Sequence, residues 1–308
     1  MLKINVLIVT YKQALVIGRT IESILQQKDY GLNKIVICDD CSPDNNWDII
    51  QSYVTKYSGL IDAYRNENNL GIYGNSNKLI TLRGDADFYC WLEGDDALCD
   101  GFFREIQNAN LRLGVNREEK VAIMSNFLIK NVDGTELSDS RNSIINNQND
   151  YFGLYIRGLI SWRASVFSEA LMATFKPAIL DKGLSLAESS FDCQFFRALD
   201  KAYYIPINGS VYHAGIGVSV NLNDTKSAYK STEGIIQWEY YIHNLVSKRI
   251  DTQWCRANLT RCAFYLKPSI GAFIKAVYFY ITGTFPIYKI SIKKIVIFIK
   301  PMIRCILK

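Results

Sequence analysis

Three short apolar runs constrain the fold of this 308-residue chain more than any other feature: Asn5–Thr10 (NVLIVT), Lys34–Cys38 (KIVIC) and Phe88–Leu92 (FYCWL). Runs of this length, rich in β-branched and aromatic residues and bounded by polar ones, are the pattern of strands buried on both faces. The segments between them have a helical period. Residues 14–28 carry Leu15, Ile17, Ile21, Ile24 and Leu25 at helical spacing. Ser42-Pro43-Asp44 opens a second helix that runs to about Tyr57, with Trp47, Ile49, Ile50 and Tyr53 inward. Leu60–Tyr64 reads as a further strand and Tyr73–Leu82 as a helix. Strands that alternate with helices at this spacing predict a doubly wound α/β sheet. Hydrophobic residues make up 49% of the chain and charged residues 21%, so it can bury a core of that size and is not intrinsically disordered.

Beyond Phe102 the regularity declines. Val121–Ile129 reads as a strand, Asn131–Gly134 as a hairpin turn, and the Asn-rich stretch Asp139–Asp150 as a surface loop. Phe191–Leu199 is helical in pattern and Tyr203–Ile207 is a strand. Ser227–Leu266 is helical and aromatic, with His243 read as a packing residue.

In an open parallel sheet, ligands bind beyond the carboxyl ends of the strands. Here those ends are polar or acidic: Thr10-Tyr11, Asp39-Asp40 and Glu93-Gly94-Asp95-Asp96. No GxGxxG follows the first strand and no GxxxxGK[ST] is present, which excludes the usual dinucleotide fingerprint and the P-loop. A carboxylate site that handles a phosphorylated ligand requires a divalent cation between the two, normally Mg²⁺ or Mn²⁺ with oxygen ligands. Taken singly, Asp39, Asp40 and Asp44 also suit turn and N-cap positions, and Asn69 and Asn77 suit loop and cap positions. Turn roles do not account for three acids within four positions after FYCWL, which repel one another unless a cation or hydrogen-bond donors compensate them.

The segments IVTYK, IVICDDCSPD, NLGIYGNSN and FYCWLEGDDAL, in this order and spacing, resemble successive motifs of family-2 glycosyltransferases of the bacterial surface-polysaccharide type. The resemblance is close over residues 4–103 and looser to about 220. It implies the GT-A fold, a Rossmann-like mixed sheet flanked by helices, over residues 1–225, with a nucleotide-sugar half at about 1–103 and an acceptor half at about 104–225. The implied activity is metal-dependent, inverting transfer of a sugar from a nucleotide-sugar, a UDP-sugar foremost. The acceptor is a saccharide or lipid-linked saccharide, in polysaccharide, O-antigen or capsule assembly. The implied nucleotide-sugar site comprises Thr10, Tyr11, Asp39, Asp40, Asn69, Asn77, Glu93, Asp95 and Asp96, with Asp39 on the base. The family's DxD element is Glu93-x-Asp95 here, with Glu in place of the commoner Asp. Asp95 is then the metal ligand, with Glu93 and Asp96 supporting it. Asp192 falls at the family's catalytic base, in a Gly-Asp-Trp/Tyr-type element whose Gly is Phe191 in this chain, and Glu188 is the alternative. Val211–Ser219 resembles a Tyr-Arg-x-His-x-Gly-Gly-type segment with two residues missing, which makes His213 a candidate for contact with the metal or diphosphate. Trp162 and Arg163 precede the base segment and are candidates to face the acceptor.

Two rival readings differ in kind. A sugar-phosphate nucleotidyltransferase would carry a glycine-rich basic loop where this chain has Thr10-Tyr-Lys-Gln-Ala. A non-catalytic membrane-associated scaffold with a degenerate sugar-nucleotide fold would not need the acidic set, which is intact.

The net charge of +5 hides a split. Residues 1–251 carry 25 basic and 30 acidic groups, whereas Thr252–Lys308 carries ten basic groups and no acid. An acidic body argues against a nucleic-acid groove, and the basic end points to an anionic surface. Residues 226–308 are therefore read as a helical, basic-hydrophobic, membrane-associating extension. If Ile287–Lys308 is helical, Lys289, Lys293, Lys300, Arg304 and Lys308 share an arc of about 100°, although Lys294 and Pro301 interrupt the apolar remainder. Such a helix lies in the interface of an anionic leaflet; the alternative is a core helix pair with solvated lysines. Ala276–Tyr288 is uncharged for thirteen residues but contains Gly283 and Pro286, and falls short of the roughly 20 apolar residues of a spanning helix. The eight cysteines have no disulfide spacing, Cys38 and Cys41 form a lone CxxC, and MLKINVLIVTYK is too short for a signal-peptide core. Reduced thiols and a cytoplasmic location, peripheral on the inner face of the membrane, follow.

Overall fold

The strand β1 (Ile4–Thr10) is buried along its whole length: it has a parallel partner on each side, β2 (Leu32–Asp39) and β4 (Phe88–Glu93), and a packed core on each face. The structure is a computed structural model that describes the chain apart from residues 147, 178–186, 216–225, 285–291 and 307–308. The strand β3 (Ile61–Arg65) extends the parallel array beyond β2. On the other side β8 (Ser165–Ser168) joins β4 antiparallel and links it to β6 (Val121–Lys130). Then β9 (Lys201–His213) runs parallel to β6, and the two-residue β5 (Ala97–Leu98) closes the order β3-β2-β1-β4-β8-β6-β9-β5, with β7 (Glu136–Asp139) hairpinned onto β6. The sheet is thus mixed, and the doubly wound pattern holds for its first half.

Side chains of β1 alternate between two cores, as the pleat requires. Ile4, Val6 and Ile8 face a layer built from α1 (Ile17–Leu25), α2 (Asn46–Lys56) and α4 (Phe102–Leu113). Leu7 and Val9 face α3 (Gly71–Leu82), α5 (Tyr151–Ile156) and α7 (Ala187–Ala198). The short α6 (Glu169–Met172) follows β8.

The expected elements recur, but not unchanged: the helical stretch expected over Ser227–Leu266 is broken at 246–248, and His243, expected to pack, is exposed. The first helix begins at Ile17, so Leu15 lies ahead of it and is fully exposed rather than on the inward face. The polar stretch 139–150 is not merely a surface loop: Asn142 is buried in it, donates to the carbonyl of Ser125 at 2.9 Å and accepts from the N–H of Ser161 at 2.8 Å. The strand expected at Tyr203–Ile207 continues to His213. Its Asn208-Gly209-Ser210 segment has the composition of a turn but forms a bulge against Asn126 and Phe127. Gly209 is required there, since a Cβ would stand 2.5 Å from the Phe102 ring and 2.4 Å from Ser125 Oγ. The continuation matters because it carries Ser210, Tyr212 and His213 up to the acidic turn.

The elements from β1 to β9 form one compact unit. A second contains α8 (Lys226–Tyr240), a π-helical turn (Tyr241–Leu245), α9 (Arg249–Leu266), α10 (Ile270–Thr284) and α11 (Ile292–Ile306). It has its own small core, in which Ala257 and Phe264 of α9, Ala276 and Tyr280 of α10, and Phe298 and Met302 of α11 are buried together. The Tyr280 and Phe298 rings stack with centroids 4.1 Å apart. Among the described residues no helix is long and apolar enough to cross a membrane, and all eight cysteines are free thiols.

Candidate active site

Register brings the candidate residues to one level of the sheet. Thr10 lies opposite Asp39, Val9 opposite Glu93, and Asp39 opposite Arg65, so the ends of four parallel strands are flush. Asp39 is fully buried. Its Oδ1 accepts from Ser42 Oγ at 2.5 Å and from Asn46 Nδ2 at 2.7 Å, while Oδ2 accepts from the N–H of Ser42 at 3.1 Å and lies 3.5 Å from Arg65 Nε. Asn46 Nδ2 also reaches Thr10 Oγ1 at 3.2 Å. Asp40, also buried, accepts at Oδ1 from Asn66 Nδ2 at 2.7 Å and from the N–H of Leu70 at 2.8 Å. Asn66 reaches Asn75 at 3.0 Å, and Asn75 donates to the carbonyl of Cys38 at 2.9 Å. Both aspartates therefore fix the loop ends by internal hydrogen bonds. Around them Tyr11 is exposed beneath the Lys12 ammonium. The exposed Asn69 donates to the Asp40 carbonyl at 3.3 Å and accepts from the N–H of Gly71 at 3.1 Å, and Asn77 is half-buried on α3.

The turn after β4 holds the other acids. Gly94 is required in it, because a Cβ would stand 2.8 Å from Thr10 Cβ and 2.3 Å from Gln13 Oε1. Thr20 Oγ1 lies 2.9 Å from the carbonyl of Gly94 and 2.7 Å from that of Asp96, and Arg19 Nη2 donates to the carbonyl of Asp95 at 2.6 Å. Glu93 Oε1 accepts from Trp91 Nε1 at 3.2 Å. Asp96 is buried with both oxygens engaged: Oδ2 pairs with Arg163 Nη1 at 2.7 Å and Oδ1 accepts from the N–H of His213 at 3.1 Å. The Arg163 guanidinium also lies over the Tyr212 ring, 4.3 Å from its centroid.

One pocket gathers Glu93 and Asp96 with Trp91, Trp162, Arg163 and Asp192. Asp192 thus comes to the acidic turn from α7, although 96 positions separate it from Asp96. Asp95 is not on this wall; Thr10, Tyr11, Asp39, Asp40 and Asn69 lie at the ends of β1 and β2 outside it, and Asn77 lies on α3. Glu188 lies on α7 with its side chain outside the described residues, as does the Val211–Ser219 segment from residue 216 onward.

Burial sets the electrostatics. It raises the Asp95 carboxyl above the ordinary range, against the Gln13 hydrogen bond and the nearby arginines. Burial also pushes Asp96 up to about 6, with Arg163 opposing and Asp95 adding to the shift. His213 is lowered to about 4 by burial and by the positive charge of Arg19 and Lys130, so its ring is neutral at neutral pH. That ring hydrogen-bonds the carbonyl of Asp95, and its Nδ1 is buried with no hydrogen-bond partner.

This donor set suits a hard divalent cation. Asp95 is a half-buried carboxylate whose burial favours the neutral form unless positive charge is supplied, and Glu93 offers oxygen two residues away. Among the described residues no three His, Cys, Asp or Glu side chains converge into a closed metal cage. One or two carboxylates completed by substrate phosphates is how Mg²⁺ is commonly held.

Sequence reasoning passed over Asn66, Asn75, Gln13 and Arg19 and gave Arg163 no partner. All five act through tertiary contacts, and only the adjacency of Arg163 to Trp162 marked any of them.

Residues 5–157 match the family model Glycosyl transferase family 2, while no curated protein matches the chain. Among solved structures, TarS 1-349 of S. aureus in complex with UDP-GlcNAc superposes with a TM-score of 0.59 at 14% identity, over 91% of this chain and 81% of that one. The mannosyltransferase PcManGT of Pyrobaculum calidifontis, in complex with GDP-Man and Mn2+, gives 0.53 at 11% identity over 100% and 86%. GalNAc-T7 with UDP, GalNAc and Mn2+ gives 0.50 at 12% identity over 79% and 51%. At these identities the likeness is one of fold, a mixed α/β sheet flanked by helices of the GT-A kind.

Proposed function

We propose that this chain, a family-2 glycosyltransferase by the match over residues 5–157, moves a sugar from a nucleotide-sugar to an acceptor hydroxyl with inversion at the anomeric carbon. The observation that carries this reading is the shared pocket of Asp192 with Glu93 and Asp96. A general base and a diphosphate-handling turn within one pocket are what a direct displacement needs. Asp192 accepts the proton of the acceptor hydroxyl as its oxygen bonds to the anomeric carbon. The bond from that carbon to the diphosphate oxygen breaks, and its electron pair leaves with the nucleoside diphosphate.

The other residues bind and orient. The loop ends fixed by Asp39 and Asp40, with Thr10, Tyr11, Asn69 and Asn77, frame the nucleoside. Asp95, assisted by Glu93, would hold Mg²⁺ or Mn²⁺, and the neutral His213 is the candidate for a further contact with the metal or the diphosphate. A bound divalent ion supplies charge neutralisation for the departing diphosphate. Arg163 holds Asp96, and Asp96 holds the main chain of His213, so the strand end and the acidic turn keep one geometry. Trp162 and Arg163 stand on the acceptor side.

A UDP-sugar is the proposed donor, supported by the UDP-GlcNAc complex of TarS; the GDP-Man complex of PcManGT makes GDP-sugars the comparison to run. The acceptor is a saccharide or lipid-linked saccharide of a surface polysaccharide. The test is nucleoside-diphosphate release from a panel of UDP-, GDP- and dTDP-sugars with and without chelator, and the anomeric configuration of the product by NMR. Chelator-sensitive release and an inverted product are expected. Release of pyrophosphate, or retained configuration, overturns the reading.

A further inference from the structure

α10 is apolar on every side. Ile270–Thr284 (IGAFIKAVYFYITGT) carries one charge, Lys275. A helix apolar all round needs partners on all faces. Ala276 and Tyr280 meet α9 and α11 in the small core. The opposite face, Ile270, Ile274, Tyr278 and Ile281, shares an arc of about 80° at 3.6 residues per turn. It remains 74%, 60%, 57% and 37% exposed respectively.

α11 repeats the arrangement. Phe298 and Met302 point into the core, Val296 and Ile303 stay exposed, and the exposed Lys300 and Arg304 flank them. The sequence alone put the membrane-facing surface on the cation arc of 287–308. The structure commits part of that helix to packing, and Lys289 and Lys308 of the arc lie outside the described residues, as does the side chain of Lys293.

We infer that the outward face of α10, with the exposed side of α11, is a docking surface for an anionic lipid bilayer. An exposed apolar stripe of this kind requires an occupant, and charge selects which one. After Asp251 the chain has ten basic residues and no acid. Lys267 and Lys275 beside the stripe are exposed. A second copy would bring the same cations face to face, whereas an anionic leaflet neutralises them while taking up the isoleucines. Tyr278 suits the headgroup level, where an apolar ring ends in a polar hydroxyl. α10 lies in the interface rather than crossing it: at 1.5 Å per residue it spans about 22 Å, against a hydrocarbon core of about 30 Å.

The full chain is tested by co-sedimentation with neutral phosphatidylcholine vesicles and with vesicles containing phosphatidylglycerol, at low and high salt. Binding to the anionic vesicles, weakened by salt, is expected. Ile274→Ser with Ile281→Ser should weaken it about tenfold or more, the scale of withdrawing two isoleucines from an apolar phase. Both positions are exposed, so thermal unfolding should be unchanged. Lys267→Glu with Lys275→Glu, which leaves the stripe intact, should abolish the preference for anionic over neutral vesicles. The inference is overturned by absent wild-type binding to anionic vesicles, or by serine variants that bind as the wild type does. A dimer that the serine variants dissociate, without vesicle binding, would assign the stripe to a second copy and overturn it equally.

Discussion

Asp96 and Arg163, 67 positions apart in sequence, meet at 2.7 Å, and the same carboxylate accepts the main-chain N–H of His213 at 3.1 Å. One buried acid therefore ties the turn after β4 to the loop before β8 and to the end of β9. Removing Arg163 leaves that carboxylate buried without its cation. Because the guanidinium is partly exposed, Arg163→Ala should cost about 2 kcal/mol, below the range of fully buried pairs. Urea unfolding checks this. Arg163→Lys should recover only part of the loss, since an ammonium lacks the planar fork and the stacking over Tyr212. Equal stability of the lysine variant and the wild type would reduce the pair to a point-charge contact.

Asp95 should be dispensable for folding and indispensable for transfer. Its ionised form is disfavoured by burial in the isolated protein, so Asp95→Asn should leave thermal stability equal or higher. Transfer should fall to the level of wild type in chelator, and added Mn²⁺ should restore the wild type alone. Chelator-insensitive transfer by the wild type would remove the metal from the mechanism.

The sheet was legible because each strand of its first half is a local, continuous apolar run between turn signals, and β1, β2 and β4 needed no distant information. The site was legible only as acids at strand ends. What makes those acids a site is non-local. Asn66 and Asn75 look like ordinary polar residues until β3 and α3 bring them to Asp40. The carboxylate that Arg163 pairs with lies 67 positions earlier in the chain, and β9 reads as ending before the bulge at Gly209, beyond which it continues to His213. The face of α10 was hidden for a different reason: a helix apolar all round has no periodicity to show which side is packed.

Gly94 should tolerate no side chain. A Cβ there meets Thr10 Cβ at 2.8 Å, a group fixed to the β1 main chain that cannot swing aside. Gly94→Ala should cost about 1–3 kcal/mol by overpacking, and should reduce transfer further by displacing Asp95. Calorimetry and initial rates on one preparation test both. Wild-type behaviour in both would mean the turn is looser than its contacts indicate.

Asp39 is a structural anchor whatever else it touches. Four groups converge on its fully buried carboxylate. Asp39→Ala strands the Ser42 and Asn46 donors, each costing about 1–3 kcal/mol when left unsatisfied. The expected result is a lowered unfolding midpoint in the absence of any nucleotide. A variant with unchanged stability but weakened donor binding would shift Asp39 from anchoring the turn to contacting the base directly.

Asp192 and Glu188 lie one helical turn apart on α7, and kinetics separates them. A general base contributes about 10²–10⁴-fold to turnover, and a residue that only binds substrate alters KM instead. Asp192 lines the pocket with Glu93 and Asp96, so Asp192→Asn should lower kcat by two or more orders of magnitude, about 10² at least. The amide keeps the size of the carboxylate, so donor affinity, measured by titration calorimetry with the nucleoside diphosphate, should change little. Glu188→Gln should retain most of the wild-type kcat. Loss of turnover in the Glu188 variant with retention in the Asp192 variant would move the base one turn along the helix, while intact turnover in both would place the proton acceptor outside α7.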